Sequence, residues 1–383
     1  MIYLHIACVS LILFTIALLI GKQKKLSDYI LIIWLIIFLS NLVTFFLIAA
    51  PAANPRFWKN LLLAFSDSSV FLHGPVFWFY TLSLSKLNFR FSRKDLLHFI
   101  PFITVFVLIG ASVVKYNDEM NAVVRVLVLL KFASLLFYAV KVFLRLQVYR
   151  HSLKNIFSNT ENKTLGWLQF LSAGIFVVWS VGFITTILNW VSSYNDLKFD
   201  DNQFQAAVDI FIIIMAYFGF RQEALYEIKE SYFYHKPEIL IVNSTQAEDI
   251  EVTEGLSEKY QRSGLSVNRA EEIHTQLLKV MECDQAFLDE NLTLFKLAKM
   301  LNTTPNHLSQ VINTMEQRNF FDFINYFRIE AVKQKITSKR YEHFTLPGIA
   351  FECGFNSKAA FNRAFKKITG VTPTEFKREN SVR

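Results

Sequence analysis

The sequence predicts an all-α protein in two parts: an N-terminal seven-helix transmembrane bundle and a C-terminal polar domain of short helices. Three observations predict this fold class. The chain of 383 residues is 52% hydrophobic and 19% charged, whereas ordinary soluble domains carry about 25% charged residues. All of the long apolar stretches lie before residue 221. Short amphipathic patterns with the helical period follow from residue 256 onward.

Seven apolar stretches in the first part are each close to the length of a membrane span, for which about 20 apolar residues are needed. The first stretch does not look like a cleaved signal peptide, because no basic segment precedes it and a second stretch follows closely. The predicted spans are residues 2–21, 29–50, 61–84, 96–114, 122–144, 166–191 and 204–220.

Lysine and arginine counts in the short loops predict the orientation of the bundle. The loops after the first, third and fifth stretches together contain 11 of these residues, and the alternate loops contain 4. Loops rich in lysine and arginine remain on the cytoplasmic side of a membrane. We therefore expect the N-terminus outside the cell and everything after Arg221 in the cytoplasm.

A few ionisable side chains lie inside the apolar stretches, where a charge is costly unless it faces the protein interior or a cavity. One interpretation is a sensor pocket that binds a ligand or an ion from outside. The other is purely structural, with acidic and basic side chains neutralising each other and the histidine hydrogen-bonded in the interior. The candidates for the sensor pocket are Asp67, His73, Arg125, Lys131 and Asp209.

A connecting segment is predicted between the two parts. Residues 221–235 continue the seventh stretch as an amphipathic helix, and residues 236–255 form an acidic linker that contains Pro237. A passive tether, a signal-transmitting helix and a protease-sensitive hinge all fit this composition. The predicted domains are residues 1–220, 221–255 and 256–383.

Residues 291–315 predict a short helix, a turn and a second helix. Apolar residues recur at the helical period from Leu294 to Leu301. Thr304 followed by Pro305 is typical of a helix start, with a capping hydroxyl and a proline in the first turn. The polar outward face of the second helix contains Asn306, His307, Ser309 and Gln310.

Residues 344–367 repeat this pattern. The first helix is predicted to end at Gly354, and Ser357 caps the next one, in which Phe361 and Phe365 point inward. The outward face of this helix contains Lys358, Ala359, Asn362, Arg363 and Lys366. Between the two pairs, residues 320–339 contain no Pro or Gly and predict one connecting helix about 28 Å long. The domain is thus predicted to be two helix-turn-helix units joined by a long helix.

Residues 259–383 resemble the DNA-binding domain of the AraC/XylS-type family of bacterial transcription regulators. The resemblance is strongest in the pattern IA-x-x-x-GF-x-S…F-x-R-x-FKK-x-x-G-x-TP-x-x-F, read from Ile349 to Phe376. It continues in the segments LAKMLNTTPNHLSQVIN and YFRIEAVK. Two departures are Pro347-Gly348 and Phe376, where the family has Tyr. A proline is tolerated in a first helical turn, and Phe should pack as Tyr does.

The resemblance implies that the two polar outward faces read DNA. A connecting helix of the predicted length could hold them in neighbouring major grooves, about 34 Å apart. Residues 331–383 contain 11 Lys and Arg against four Glu, which suits the phosphate backbone. Ala359 offers no hydrogen bond, so the second helix should rely more on phosphate contacts and packing against thymine methyl groups.

The sequence therefore predicts a one-component transcriptional regulator anchored in the bacterial inner membrane. Its expected partners are promoter DNA, the lipid bilayer, RNA polymerase, an unknown ligand and a second copy forming a homodimer. The three cysteines have no metal-type spacing, and no phosphate-binding or hydrolase motif is present, so we expect neither a cofactor nor enzymatic activity. Two alternatives remain: a transporter or enzyme with a regulatory DNA-binding tail, and a tethered factor released by proteolysis.

Overall fold

The computed structural model divides the chain into two compact units. Unit 1 comprises residues 1–148 and 165–230, and unit 2 comprises residues 149–164 and 231–383. The described part of the chain is all-helical and contains no strand. The predicted connecting segment, residues 221–255, lies outside it. The structure describes residues 2–21, 25–49, 56–86, 89–112, 120–160, 165–192, 201–220 and 265–380.

The described part of unit 1 is built from seven α-helices, of which the fifth runs on into unit 2. Neighbouring pairs in contact are α1 with α2 and α7, α3 with α2 and α4, and α6 with α7. A short 3-10 helix, Arg93–Phe99, leads into the fourth helix. The helices are α1 (Ile2–Gly21), α2 (Leu26–Ala49), α3 (Arg56–Ser85), α4 (Ile100–Ser112), α5 (Met120–Lys154), α6 (Gly166–Ser192) and α7 (Asp201–Phe220).

Five segments within the described residues are long and apolar enough to cross a membrane. The fourth predicted span falls on α4, whose 13 residues extend about 20 Å, less than the roughly 30 Å hydrocarbon core. The apolar part of α7 is limited to Phe204–Phe218, because its first turns are polar. A complete set of seven spans therefore stays a prediction. The five segments are Tyr3–Gly21, Leu26–Thr44, Leu61–Ser85, Val126–Lys154 and Gly166–Leu188.

Within the residues that the structure describes, unit 2 contains seven α-helices arranged around two apolar cores. One helix, α11, supplies Phe323 and Ile324 to the first core, and Ile329 and Val332 to the second. The two lobes of the unit therefore share one helix. The helices are α8 (Val267–Glu282), α9 (Leu294–Met300), α10 (Pro305–Met315), α11 (Phe320–Ile336), α12 (Leu346–Glu352), α13 (Lys358–Thr369) and α14 (Pro373–Asn380).

The connecting helix is shorter than the sequence suggested. Helix α11 ends at Ile336 and not at residue 339, so its 17 residues extend about 25 Å. Thr337 caps it, and the Thr337 hydroxyl donates to the carbonyl oxygen of Lys333 at 3.2 Å. A separate 3-10 turn, Lys339–Tyr341, follows. The absence of Pro and Gly did not reveal this end, at which the backbone becomes extended at Ser338 (φ −87°, ψ 129°).

Candidate nucleic-acid interface

The first helix pair begins and ends as the sequence predicts. Thr293 caps α9, its hydroxyl accepting a bond from the Lys296 amide at 3.2 Å. Asn302, with a φ of 47°, occupies the left-handed region in the turn, which asparagine tolerates better than most residues. Thr304 then caps α10 by accepting from the His307 amide at 3.2 Å, with Pro305 in the first turn. These local bonds fix where the second helix starts.

Helix α10 separates an apolar face from a polar one. Leu308, Val311 and Ile312 are fully buried in the first core. On the other face, Asn306 is exposed, while His307, Ser309 and Gln310 are half-buried. The four predicted reading residues of this helix therefore share the polar side, and those after Asn306 are partly covered.

The second helix pair is joined by a tight turn at Gly354. Its φ of +86° is in the left-handed region, and an added Cβ would lie 2.5 Å from the carbonyl oxygen of Phe287. Only glycine fits there without displacing the backbone. Ser357 then caps α13, its hydroxyl accepting from the Ala360 amide at 3.0 Å. The turn and the cap orient α13 against the second core.

Helix α13 presents the second predicted reading face to the surface. Its inner side buries Phe361, Ala364 and Phe365. The ring of Phe376 meets that of Phe365 edge-on at 5.4 Å, so phenylalanine packs at the position where the family has tyrosine. The predicted residues on the outer side are all exposed: Lys358, Ala359, Asn362, Arg363 and Lys366. Four of the five are polar or cationic, which suits contacts with phosphates and base edges.

Arg328 is a buried cation that the sequence analysis did not single out. It is 1% exposed on α11, and burial lowers its pKa to about 10, so the guanidinium remains charged at neutral pH. Its Nε donates to the carbonyl oxygen of Phe287 at 2.8 Å, and its Nη2 donates to that of Asp289 at 2.8 Å. The sequence does contain an indication of this role: Arg328 follows Ile324 by one helical turn, so it falls on the apolar face of α11.

A separate cavity of about 440 Å³ in unit 1 is lined by many apolar and some polar side chains. Lys131 and Asp67 form an ion pair at its wall. His73 lines the same cavity and accepts a hydrogen bond from the Trp34 indole at 3.1 Å, which is the interior role considered for it. Three of the five predicted pocket residues are thus brought together.

The other two predicted pocket residues are not part of this group. Asp209 pairs instead with His5, whose Nδ1 lies 2.6 Å from a carboxylate oxygen, and both side chains are almost fully buried. The side chain of Arg125 lies outside what the structure describes. Asn41 and Gln205, which were not among the predicted pocket residues, also line the cavity. No cluster of three metal-ligating side chains occurs among the residues that the structure describes.

Comparison with known proteins identifies the C-terminal part of the chain. A family described as "Helix-turn-helix domain" matches residues 297–379. The chain is 31% identical over 85 residues to the uncharacterized HTH-type transcriptional regulator YpdC of Escherichia coli (strain K12), covering 22% of this chain and 29% of the relative. It is 33% identical over 97 residues to an uncharacterized HTH-type transcriptional regulator of Staphylococcus aureus (strain COL), covering 25% of this chain and 13% of the relative.

A third relative gives the same result. The chain is 25% identical over 107 residues to the HTH-type transcriptional regulator GlxA of Rhizobium meliloti (strain 1021), covering 28% of this chain and 32% of the relative. The chain thus spans less than a third of the length of each of these three relatives. No solved structure gives a significant match. Residues 297–379 form a helix-turn-helix domain of the AraC type, and the relatives of this chain are HTH-type transcriptional regulators.

Proposed function

We propose that this protein is a membrane-anchored one-component transcriptional regulator in the bacterial inner membrane. The helix-turn-helix domain binds promoter DNA sequence-specifically, and unit 1 senses a signal. The observation that carries the proposal is the presence, in one chain, of an AraC-type domain and five helices able to cross a membrane. Contact with RNA polymerase and pairing with a second copy, as expected from the sequence, belong to the same proposal.

The proposed DNA contacts divide between the two outward helix faces. On α10, Asn306, His307, Ser309 and Gln310 supply side chains that read base edges. On α13, the side chains of Arg363 and Asn362 hydrogen-bond to DNA. Lys358 and Lys366 contact phosphates, and Ala359 packs against a thymine methyl group. The exposure of these α13 side chains, and their position opposite a fully buried face, support this assignment.

A contact between the loop after the fifth predicted span and the C-terminal domain is consistent with the proposed cytoplasmic location. Ser158, in the loop after the fifth predicted span, accepts a hydrogen bond from Arg328 in the C-terminal domain at 3.1 Å. Two groups in contact must lie on the same side of a bilayer. If that loop is cytoplasmic, as the loop charges predict, the C-terminal domain is cytoplasmic as well, on the side where the DNA is.

The cavity in unit 1 is the proposed sensor site. Its wall combines the Asp67–Lys131 ion pair with aromatic side chains such as Trp179 and Phe132. Its volume falls within the range of small-molecule sites, roughly 300–1,000 Å³. The proposed stimulus is therefore a small molecule with an apolar body and a polar or charged group that reaches the ion pair.

The experiment that tests the proposal is chromatin precipitation of the tagged full-length protein, with immunoblots of membrane and soluble fractions from the same cells. Specific DNA peaks accompanied only by full-length protein in the membrane fraction are expected. An absence of peaks would refute DNA binding. Peaks accompanied by a short soluble fragment would refute regulation from the anchored state and favour release by proteolysis.

A further inference from the structure

The loop between α5 and α6 folds as part of unit 2. Its described part, residues 149–160, is called here the loop segment. Phe157 forms an antiparallel β-bridge with Thr293. The Leu294 amide donates to the carbonyl oxygen of Ile156 at 2.9 Å, and the Ser158 amide donates to that of Leu292 at 3.3 Å. The loop segment therefore pairs with the backbone that leads into α9, the first helix of the first helix-turn-helix unit.

Side chains strengthen this pairing. Ile156, Phe157 and Ser158 are each at most 9% exposed. The Ser158 hydroxyl donates to the carbonyl oxygen of Leu292 at 2.8 Å and accepts from Arg328 Nη2 at 3.1 Å. Arg328 Nη1 also donates to the Ser158 carbonyl oxygen at 3.2 Å. Arg328 also donates to the carbonyl oxygens of Phe287 and Asp289, as described above. Two of these four hydrogen bonds thus depend on Ser158 of the loop segment.

The loop segment also reaches the flank of the second reading helix. Asn159 and Thr160 line a cavity of about 230 Å³ together with Arg363 and Lys367 of α13. Lys367 is already paired with Asp322 of α11 at 2.7 Å. Arg363 is one of the proposed DNA-contacting residues. A DNA strand that approaches Arg363 therefore meets the loop segment at the same place.

We propose that the DNA-binding domain carries a docking surface for the loop segment, and that the docked segment lowers the affinity for DNA. The surface consists of the backbone at residues 292–294, Arg328 and the flank of α13 at Arg363. Its occupant is a piece of the same chain, tied at both ends to apolar helices of unit 1. This inference rests on the proposed function, because it requires that Arg363 contacts DNA.

The docked loop segment is then the part of the chain through which a signal in unit 1 changes DNA binding. Since the loop segment begins within α5 and leads to α6, a rearrangement of these helices changes how firmly it docks. A signal that withdraws the segment frees the side of α13 and raises DNA affinity. This route is distinct from transmission through the predicted helix at residues 221–235, which is one of the alternatives that the sequence allows.

The test measures DNA binding by the full-length protein in lipid nanodiscs, using a promoter fragment recovered by chromatin precipitation and fluorescence anisotropy. Ser158→Ala removes the hydroxyl that bonds Leu292 and Arg328, and Phe157→Ala removes the buried ring. The matched control is His151→Ala, an exposed residue of the same segment. We expect about five- to tenfold tighter binding for Ser158→Ala, from the loss of one or two hydrogen bonds that favour docking, and unchanged binding for the control.

A second measurement separates undocking from unfolding. Hydrogen exchange should accelerate in the peptide that contains Leu294 in both variants, while the amides of α11 stay protected. Unchanged or weaker DNA binding with α11 protected would overturn the inference. Should Phe157→Ala unfold the domain, Ser158→Ala decides, because it removes one oxygen atom only. DNA binding by none of the proteins, wild type included, would overturn the proposed function and this inference together.

Discussion

Replacing Gly354 by alanine should destabilise the C-terminal domain far more than the same change at two other glycines. At Gly354 the φ is +86°, and an added Cβ would lie 2.5 Å from the carbonyl oxygen of Phe287 and 2.9 Å from that of Leu288. The first of these oxygens is the acceptor of the bond from Arg328 Nε. The new methyl group must therefore displace a backbone that a buried charge holds in place.

The cost has two parts. Forcing a residue with a Cβ into the left-handed region costs about 1–2 kcal/mol. Weakening a hydrogen bond from a charged donor costs about 1.5–3 kcal/mol more. The sum of about 2.5–5 kcal/mol is a large share of the roughly 5–15 kcal/mol that stabilises a typical domain.

Hydrogen exchange of the α11 amides in the full-length protein measures this cost, because these amides report opening of both lobes. Gly354→Ala should accelerate their exchange more than a hundredfold. Gly370 has a φ of +81° but nothing within 4 Å of an added Cβ, so Gly370→Ala should show the strain alone, about tenfold. Gly348→Ala, inside α12, adds a Cβ 3.1 Å from the Thr345 side-chain oxygen, and because a side chain moves more easily than the backbone, its effect should be smaller than that at Gly354. Equal acceleration at Gly354 and Gly370 would refute the argument from the backbone clash.

Three further predictions concern the DNA face, the cavity and the thiols. Arg363→Ala should weaken promoter binding about tenfold or more and flatten its salt dependence, whereas Arg363→Lys should keep most of the salt dependence. Fluorescence anisotropy titrations at several salt concentrations check this. An equal dependence of affinity on salt in the wild type and both variants would contradict it. Asp67→Asn and Lys131→Met should each abolish a reporter response to the signal without changing DNA affinity, and a normal response in both would exclude the cavity as the sensor. Burial raises the pKa of Cys353 to about 11 from its usual 9.0, so a maleimide at pH 8 should label the exposed Cys283 and leave Cys353 unmodified. Because the thiol is neutral in the folded state, its contribution to stability is complete below pH 9 and is lost as the pH rises towards 11. The wild type should therefore lose thermal stability over this pH range relative to the Cys353→Ala variant.

The parts of the site that were predictable from the sequence are those fixed by neighbours in the chain. Thr304 and Ser357 cap helices through amides three residues away, and Gly354 marks a turn by its own backbone. The apolar period then fixes which faces of α10 and α13 point outward. Such features depend on short-range geometry, so residue type and spacing are enough to find them.

The remaining features depend on residues far apart in the chain. Asp209 was placed with the other ionisable side chains, yet it pairs with His5 from the other end of unit 1. Arg328 is held by Ser158, which lies in the loop between two apolar helices. Hydropathy and loop charge locate helices along the chain but carry no information on which helices are neighbours. Neither partner could therefore be read from one sequence.

The position of Ser158 has a consequence for any cleavage between residues 236 and 255. A fragment released there would leave residues 149–160 behind in the membrane. The fragment would be free of its docked segment, yet Arg328 would lose two of its hydrogen bonds and the backbone before α9 would lose its pairing partner. Release would therefore produce a regulator that binds DNA more tightly and unfolds more readily. Its lifetime before degradation, rather than any reversal of the cut, would then set how long the transcriptional response lasts.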